Sequence, residues 1–294
     1  MRTSIQNRLP SLPIIFISLF IAVIAVSCGG GGGAAPAPAP AEPTDQDASG
    51  IYNGTGKGAF IGVNGNAEVS LTTVKGMVNG SRFIFFNADI SDANSNVLFD
   101  GTITSITLTN LVGTADVYQG GKIVESDVAV TGVVNGRSSI LLTLAASASG
   151  NFKGGSVDAS FDLLYDRGAT NARIDNTLST GWGRGGIKDV FMIIPNMTTF
   201  NFEMRLADDT YQFVTDNPGF TQTCLHVGVV AIPNSAVNLY TVSDSIFAGL
   251  GCVPPGTSTG YTGFSTVVDV DNQDDTLWYA VTNGTYSVFA ILNE

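Results

Sequence analysis

The sequence predicts an all-β protein made of two antiparallel meander domains, each a small barrel or sandwich. Three observations predict it. From Gly50 onward, apolar and polar residues alternate with period two in run after run, the pattern of strands with one buried face. Glycine (35), Thr (29), Ser (24) and Asn (21) stand beside 49 Val and Ile, a mixture of β-branched strand formers and turn formers. Only 13% of residues are charged, where ordinary domains carry about a quarter, which argues against long helices and coiled coils. Thirteen Lys+Arg against 25 Asp+Glu leave no basic footprint, so nucleic acid is not an expected partner.

Residues 1–27 read as an export signal. Arg2 and Arg8 precede an apolar run from Ile14 to Val26. A membrane span needs about 20 apolar residues, so this run suits a signal-peptide core better than a transmembrane helix. It closes on Ile24-Ala25-Val26-Ser27-Cys28, which resembles the bacterial lipoprotein lipobox. That resemblance implies cleavage before Cys28 and lipidation of its thiol. It departs from the family pattern at Ala25, where Leu is usual.

Residues 28–49 then form a tether. Gly29–Gly33 is a flexible coil, and the Ala-Pro alternation from Ala34 to Pro43 favours extended polyproline II, at about 3.1 Å per residue. By resemblance to Gram-negative lipoproteins, Gly29 in place of Asp implies sorting to the outer membrane, with the body on its periplasmic or its outer side. Cleavage removes two arginines and no acid, shifting the net charge from −12 to −14. Anionic lipid repels such a surface, so attachment falls to the lipid.

Residues 50–165 form the first β domain. Ile140, Leu142, Leu144 and Ala146 make one alternating row, and Val157, Ala159, Phe161, Leu163 and Tyr165 another. In Thr102–Thr109 the phase slips at Ser105, predicting a β-bulge. Asn64-Gly65, Asn79-Gly80, Asp100-Gly101, Gly120-Gly121, Asn135-Gly136 and Gly154-Gly155 are the turn signals, although some of these glycines fit within strands. Together they give a meander of about eight strands, a size that closes into a barrel or folds into a sandwich.

Residues 166–180 lack alternation and read as a connection, with one helical turn near Ala169–Ile174. Residues 181–294 form the second β domain. Its signals are Val190–Ile194, the row Phe200, Phe202, Met204 and Leu206, the pair Tyr211 and Phe213, Cys224–Ala231, Leu277–Val281, and Asn283-Gly284 before Tyr286–Leu292. With Cys28 spent on lipid, Cys224 and Cys252 remain, an even number in an oxidising compartment, and they read as a disulfide. It closes a loop of about 29 residues, worth roughly 3.5 kcal/mol by chain entropy.

Each domain opens with an aromatic among glycines: Gly50-Ile51-Tyr52-Asn53-Gly54 and Gly181-Trp182-Gly183. Such an opening of a meander resembles calycin-type barrels, the avidins and lipocalins. Tyr165, Arg167, Ile174 and Gly181-Trp182, with Cys224 and the turn Cys252-Val-Pro-Pro-Gly256, resemble a poorly characterised group of β-rich proteobacterial lipoproteins. The resemblance covers most of residues 50–294 and implies fold and anchoring, with no catalytic residues to carry over.

Candidates for chemistry are few. His226 is the only imidazole, and it falls inside the predicted strand Leu225–Val229, where packing or a local hydrogen bond accounts for it. Asp269, Asp271, Asp274 and Asp275 are the candidate calcium ligands. The run departs from an EF-hand loop, with Asp274 where glycine is needed and Ala280 where the closing Glu belongs, so a polar hairpin turn is the stronger reading. Asp92–Asn96 reads as a turn for similar reasons. Tyr52, Trp182, Tyr211, Trp278 and Tyr279 are candidates to line a pocket if a barrel is hollow, against the alternative of core packing.

These features lead to a lipid-anchored envelope binding or interaction module, with no cofactor and no catalytic residues. Its expected partners are the membrane, through the lipid, and a small molecule or an envelope protein. The alternative is a carbohydrate- or peptidoglycan-active hydrolase, which needs two carboxylates facing each other across a cleft.

Overall fold

The computed structural model describes residues 46–62, 65–87, 93–136, 138–146, 150–161, 191–193, 201–207, 210–216, 223–234, 239–247, 260–269 and 275–293. All its long elements are strands. The first eight are β1 (Gly50–Gly62), β2 (Gly65–Asn79), β3 (Arg82–Asn87), β4 (Val97–Thr107), β5 (Asn110–Gln119), β6 (Lys122–Val134), β7 (Ser139–Leu144) and β8 (Phe152–Phe161). Each pairs antiparallel with the next, and β8 returns to β1, closing a barrel. The alternation of Ile140, Leu142 and Leu144 places all three inside, as it does Val157, Ala159 and Phe161. The ladder between β4 and β5 shifts register between Ile103 and Ser105, where the sequence alternation slips.

Large rings fill the barrel. Tyr52 lies 5.6 Å from Phe161 and 6.1 Å from Phe85, Phe83 lies 5.8 Å from Phe85, and Phe152 lies 5.2 Å from Phe60 and 6.2 Å from Phe99. The Tyr52 hydroxyl is satisfied within the fold, donating to the Ala48 carbonyl at 2.8 Å.

Glycines face these rings. A Cβ on Gly101 would sit 2.0 Å from Phe83 Cζ, and one on Gly76 would sit 2.2 Å from Phe85 Cε1. This corrects the turn reading of Asp100-Gly101. That pair lies within β4, because the ring across the ladder occupies the space a side chain would need. Gly154-Gly155 likewise lies within β8, where a Cβ on Gly155 would meet the Lys57 carbonyl at 2.5 Å. Gly120-Gly121 does turn the chain, with φ of 56° and 79° between the paired residues Gln119 and Lys122.

The remaining strands are β9 (Phe191–Ile193), β10 (Asn201–Ala207), β11 (Thr210–Asp216), β12 (Thr223–Asn234), β13 (Leu239–Phe247), β14 (Tyr261–Asp269), β15 (Asp275–Thr282) and β16 (Ser287–Asn293). They make one antiparallel sheet in the order β10-β11-β12-β13-β14-β15-β16-β9. Barrel and sheet belong to one compact unit, Pro43–Glu294. The predicted connection 166–180 and its helical turn lie outside the described residues.

Gly101→Ala is expected to lower stability by about 1–3 kcal/mol, because the Phe83 ring is braced by Phe85 and cannot swing aside. Gly80→Asn should leave it nearly unchanged: Gly80 has φ +57°, which Asn tolerates, and its Cβ direction is open. Thermal denaturation of the two variants checks the contrast.

Candidate functional site

The most elaborate arrangement of polar and apolar groups is the seam between the barrel wall and the second sheet. Strands β1–β5 carry apolar residues on their outward face as well as their inward one: Ile51, Met77, Ile84, Phe86, Leu98 and Tyr118 are all buried. Against them pack Leu239, Phe264, Trp278, Ala280 and Phe289 from β13–β16. Phe86 and Phe289 meet with ring centroids 5.2 Å apart. Backbone joins the two parts as well. Ile123 N donates to Thr285 O and Ser287 N to Gly121 O, each at 3.0 Å, and Lys122 forms an isolated antiparallel bridge with Tyr286. The β5–β6 turn is thereby stitched to the β15–β16 turn.

Charged groups stand around this apolar contact. Arg82, at the start of β3, grips Asp100 of β4 with two hydrogen bonds, Nε to Oδ1 at 3.0 Å and Nη2 to Oδ2 at 2.8 Å. The same guanidinium crosses the seam. It donates to Thr262 Oγ1 at 3.1 Å and to the Thr262 carbonyl at 3.0 Å, and lies 5.5 Å from the centre of the Phe264 ring. From the other side the Thr282 hydroxyl donates to Asp100. Lys75 Nζ sits 4.6 Å from the centre of the Trp278 ring while donating to Asn53 Oδ1 at 2.6 Å. A planar guanidinium suits this work because it can serve a carboxylate and a second acceptor at once.

Acid accumulates beside it. Asp116 of β5 is in register with Asp100 and accepts the Asp127 backbone N–H at 3.0 Å. Burial, and then the charges of Asp127 and Asp100, push its carboxyl above the ordinary 3.8, against the opposing pull of the Asp127 N–H. Burial, with the charge of Asp116, also pushes the Tyr118 phenol above its usual range.

Among the described residues, the candidate pocket aromatics Tyr52, Trp278 and Tyr279 lie in different places. Tyr52 is in the barrel core, Trp278 is in the seam, and Tyr279 is buried but follows Trp278 directly on β15, so it faces the opposite side of the sheet. Tyr211 is placed by its backbone on β11 opposite Gly228, and Trp182 lies outside the described residues. Asp269 and Asp275 are the paired ends of β14 and β15, as a hairpin places them, with Asp271 and Asp274 outside the described residues. Asp92 lies outside as well, and Ala93–Ser95 form a 3-10 turn whose Asn94 carbonyl accepts Gln119 Nε2 at 2.9 Å.

Cys224 is placed by its backbone on β12 opposite Thr215, and His226 on the same strand opposite Phe213. Cys28 and Cys252 lie outside the described residues, and with them the expected lipidation and disulfide. Gly256-Thr257-Ser258-Thr259-Gly260 has the Gly-x-Ser-x-Gly spelling of a hydrolase nucleophile elbow. An elbow turns from a strand into a helix, whereas this pentapeptide leads straight into strand β14.

Arg82, Asp100, Thr262 and Thr282 escape sequence reasoning, because nothing local links residues that lie about 180 positions apart. One signal was present. Phe83–Phe86, like Leu277–Val281 and Val288–Leu292 on the covering sheet, is a continuous apolar run, as a strand covered on both faces requires.

The sequence matches no protein-family profile and no curated protein. Among solved structures it is similar to the isotype 1 transferrin binding protein B of serogroup B Neisseria meningitidis, at 10% identity and a TM-score of 0.23. The match covers 83% of this chain and 63% of that one. A likeness so slight carries no argument here.

Arg82→Ala leaves Asp100 partly buried without its fork and should cost about 1–3 kcal/mol, with Arg82→Lys intermediate, as read by urea denaturation. Asp116→Asn should raise the melting temperature at pH 7. A carboxyl with a raised folded-state pKa loses stability as pH climbs through that pKa, and Asn avoids the loss while still accepting the Asp127 N–H. Melting curves of the variant and the parent should converge well below pH 3.8, where Asp116 is protonated in folded and unfolded chains alike.

Proposed function

We propose that this chain is a lipid-anchored cell-envelope interaction module without catalytic activity, which meets its partners on its outer surface. The observation that carries this reading is the filled barrel: Tyr52, Phe60, Phe83, Phe85, Phe99, Phe152 and Phe161 occupy the interior where an eight-stranded barrel would otherwise hold a small ligand. The lipobox-like Ile24–Cys28 and the Gly/Ala-Pro tether supply the anchor in this reading, and the signal implies an oxidising compartment in which Cys224 pairs with Cys252. In this reading the two β domains, residues 50–165 and 181–294, pack into one body, and the outer membrane is its location.

The hydrolase alternative gains nothing from the carboxylates of the seam. Asp100 and Asp116 are neighbours on adjacent strands of one wall, and Asp100 is held by Arg82. Asp100 joins sheet to barrel through Thr282 and Arg82, and Asp116 receives the Asp127 N–H within the barrel.

Metabolic labelling with palmitate tests the anchor. The wild-type chain should take up label and sediment with membranes, and Cys28→Ala should do neither. Equal labelling of the two would end this reading.

A further inference from the structure

The N-terminal tether enters the folded body at a defined place. Gln46 N donates to the Leu108 carbonyl at 3.1 Å, and Gln46 Oε1 lies against the β6–β7 turn at Gly136. Leu108 is in the two-residue turn between Thr107 and Asn110, so the leash leaves from the barrel end that carries the β4–β5 and β6–β7 turns.

Among the described residues, that end carries four of the barrel's five large exposed aliphatic side chains, Ile61 being the fifth. Leu108, Val112, Val133 and Leu141 are 37–48% exposed. Val133 is in register with both Asn110 and Leu141, and Val112 follows Asn110 by two residues, so the three share one outward face beside Leu108. Around them Asn110, Thr131 and Thr143 are exposed and uncharged, and Asp158, opposite Leu141, stands at the margin. In a body that is strongly acidic as a whole, the apolar patch and the leash exit coincide.

We infer that this face rests on the bilayer to which the leash is anchored, with Leu108, Val112, Val133 and Leu141 reaching the headgroup and acyl boundary of a zwitterionic phospholipid surface. The inference rests on the lipid-anchored reading above. Four half-exposed aliphatic groups bind a membrane weakly by themselves. The seventeen residues from Gly29 to Asp45 change that, because a Gly-rich stretch joined to an Ala-Pro run of about 3.1 Å per residue holds the barrel end within roughly 35 Å of the lipid on average. At such a distance the contact is intramolecular, with an effective concentration near the millimolar range. The opposite end, where the β1–β2 turn lies and Ile61 is 44% exposed, then faces away and is free for other partners.

The test uses the full lipidated chain in phosphatidylcholine vesicles whose acyl chains carry bromine, which quenches tryptophan on contact. Leu141→Trp reports on the patch and Ile61→Trp on the far end, each read as the excess over the parent chain. Should circular dichroism show Leu141→Trp to be misfolded, Val112→Trp reads the same face. Quenching several-fold stronger at the patch is expected. Equal quenching at both ends on floating vesicles overturns the orientation and leaves the anchor standing. Protein that fails to float with the vesicles overturns the anchor, and the orientation with it. Before lipid is added, protection of Leu141→Trp from aqueous iodide that grows with protein concentration would place a second copy on the patch and overturn the proposal.

Discussion

The constraint on which the architecture depends is a barrel wall with two dry faces. On β3, Phe83 and Phe85 fill the barrel while Ile84 and Phe86 fill the seam, and none of the four retains contact with water. Burial of this kind contributes roughly 25 cal/mol per Å² of apolar surface on each face. A barrel wall facing solvent would collect only half of that. Strand β3 makes sense only if something covers its outside, and the sheet β13–β16 is what covers it. The second sheet therefore completes the barrel's wall and is more than a neighbour on the same chain.

Polar groups set the register of that contact. An apolar face can slide, since dispersion and hydrophobic forces have little direction. A guanidinium that must reach Asp100 and Thr262 together cannot slide far, and neither can two turns tied by backbone hydrogen bonds. The seam thus combines an adhesive interior with directional pins at its rim. Its acid excess is the unfavourable part: burial, with the charges of Asp127 and Asp100 beside it, makes Asp116 hold its proton more tightly.

The fold class was legible because burial on one face leaves a period-two imprint that survives in β7 and β8 residue by residue, and because a bulge at Ile103–Ser105 must shift that imprint. The same reasoning misplaced Asp100-Gly101 and Gly154-Gly155. Glycine marks a turn when its backbone angle is needed and a strand when its missing side chain is needed, and the dipeptide spelling does not separate the two. Trp278 beneath Lys75 shows why the seam was not legible. The meaning of each residue depends on a partner about two hundred positions away, and a single sequence carries no record of that pairing. The local traces, the apolar runs Phe83–Phe86 and Leu277–Val281, record that a cover exists but not which segment provides it.

The double-faced wall also sets an order of events. The barrel closes when Phe161 arrives, but the covers for Ile84, Phe86 and Leu98 include Phe264 and Phe289, which are synthesised long afterwards. During that interval a finished barrel exposes a broad greasy flank. Until the covering strands are made and fold, aggregation competes with folding on that flank. The residues that make the protein a single body are the ones for which the nascent chain most needs a chaperone.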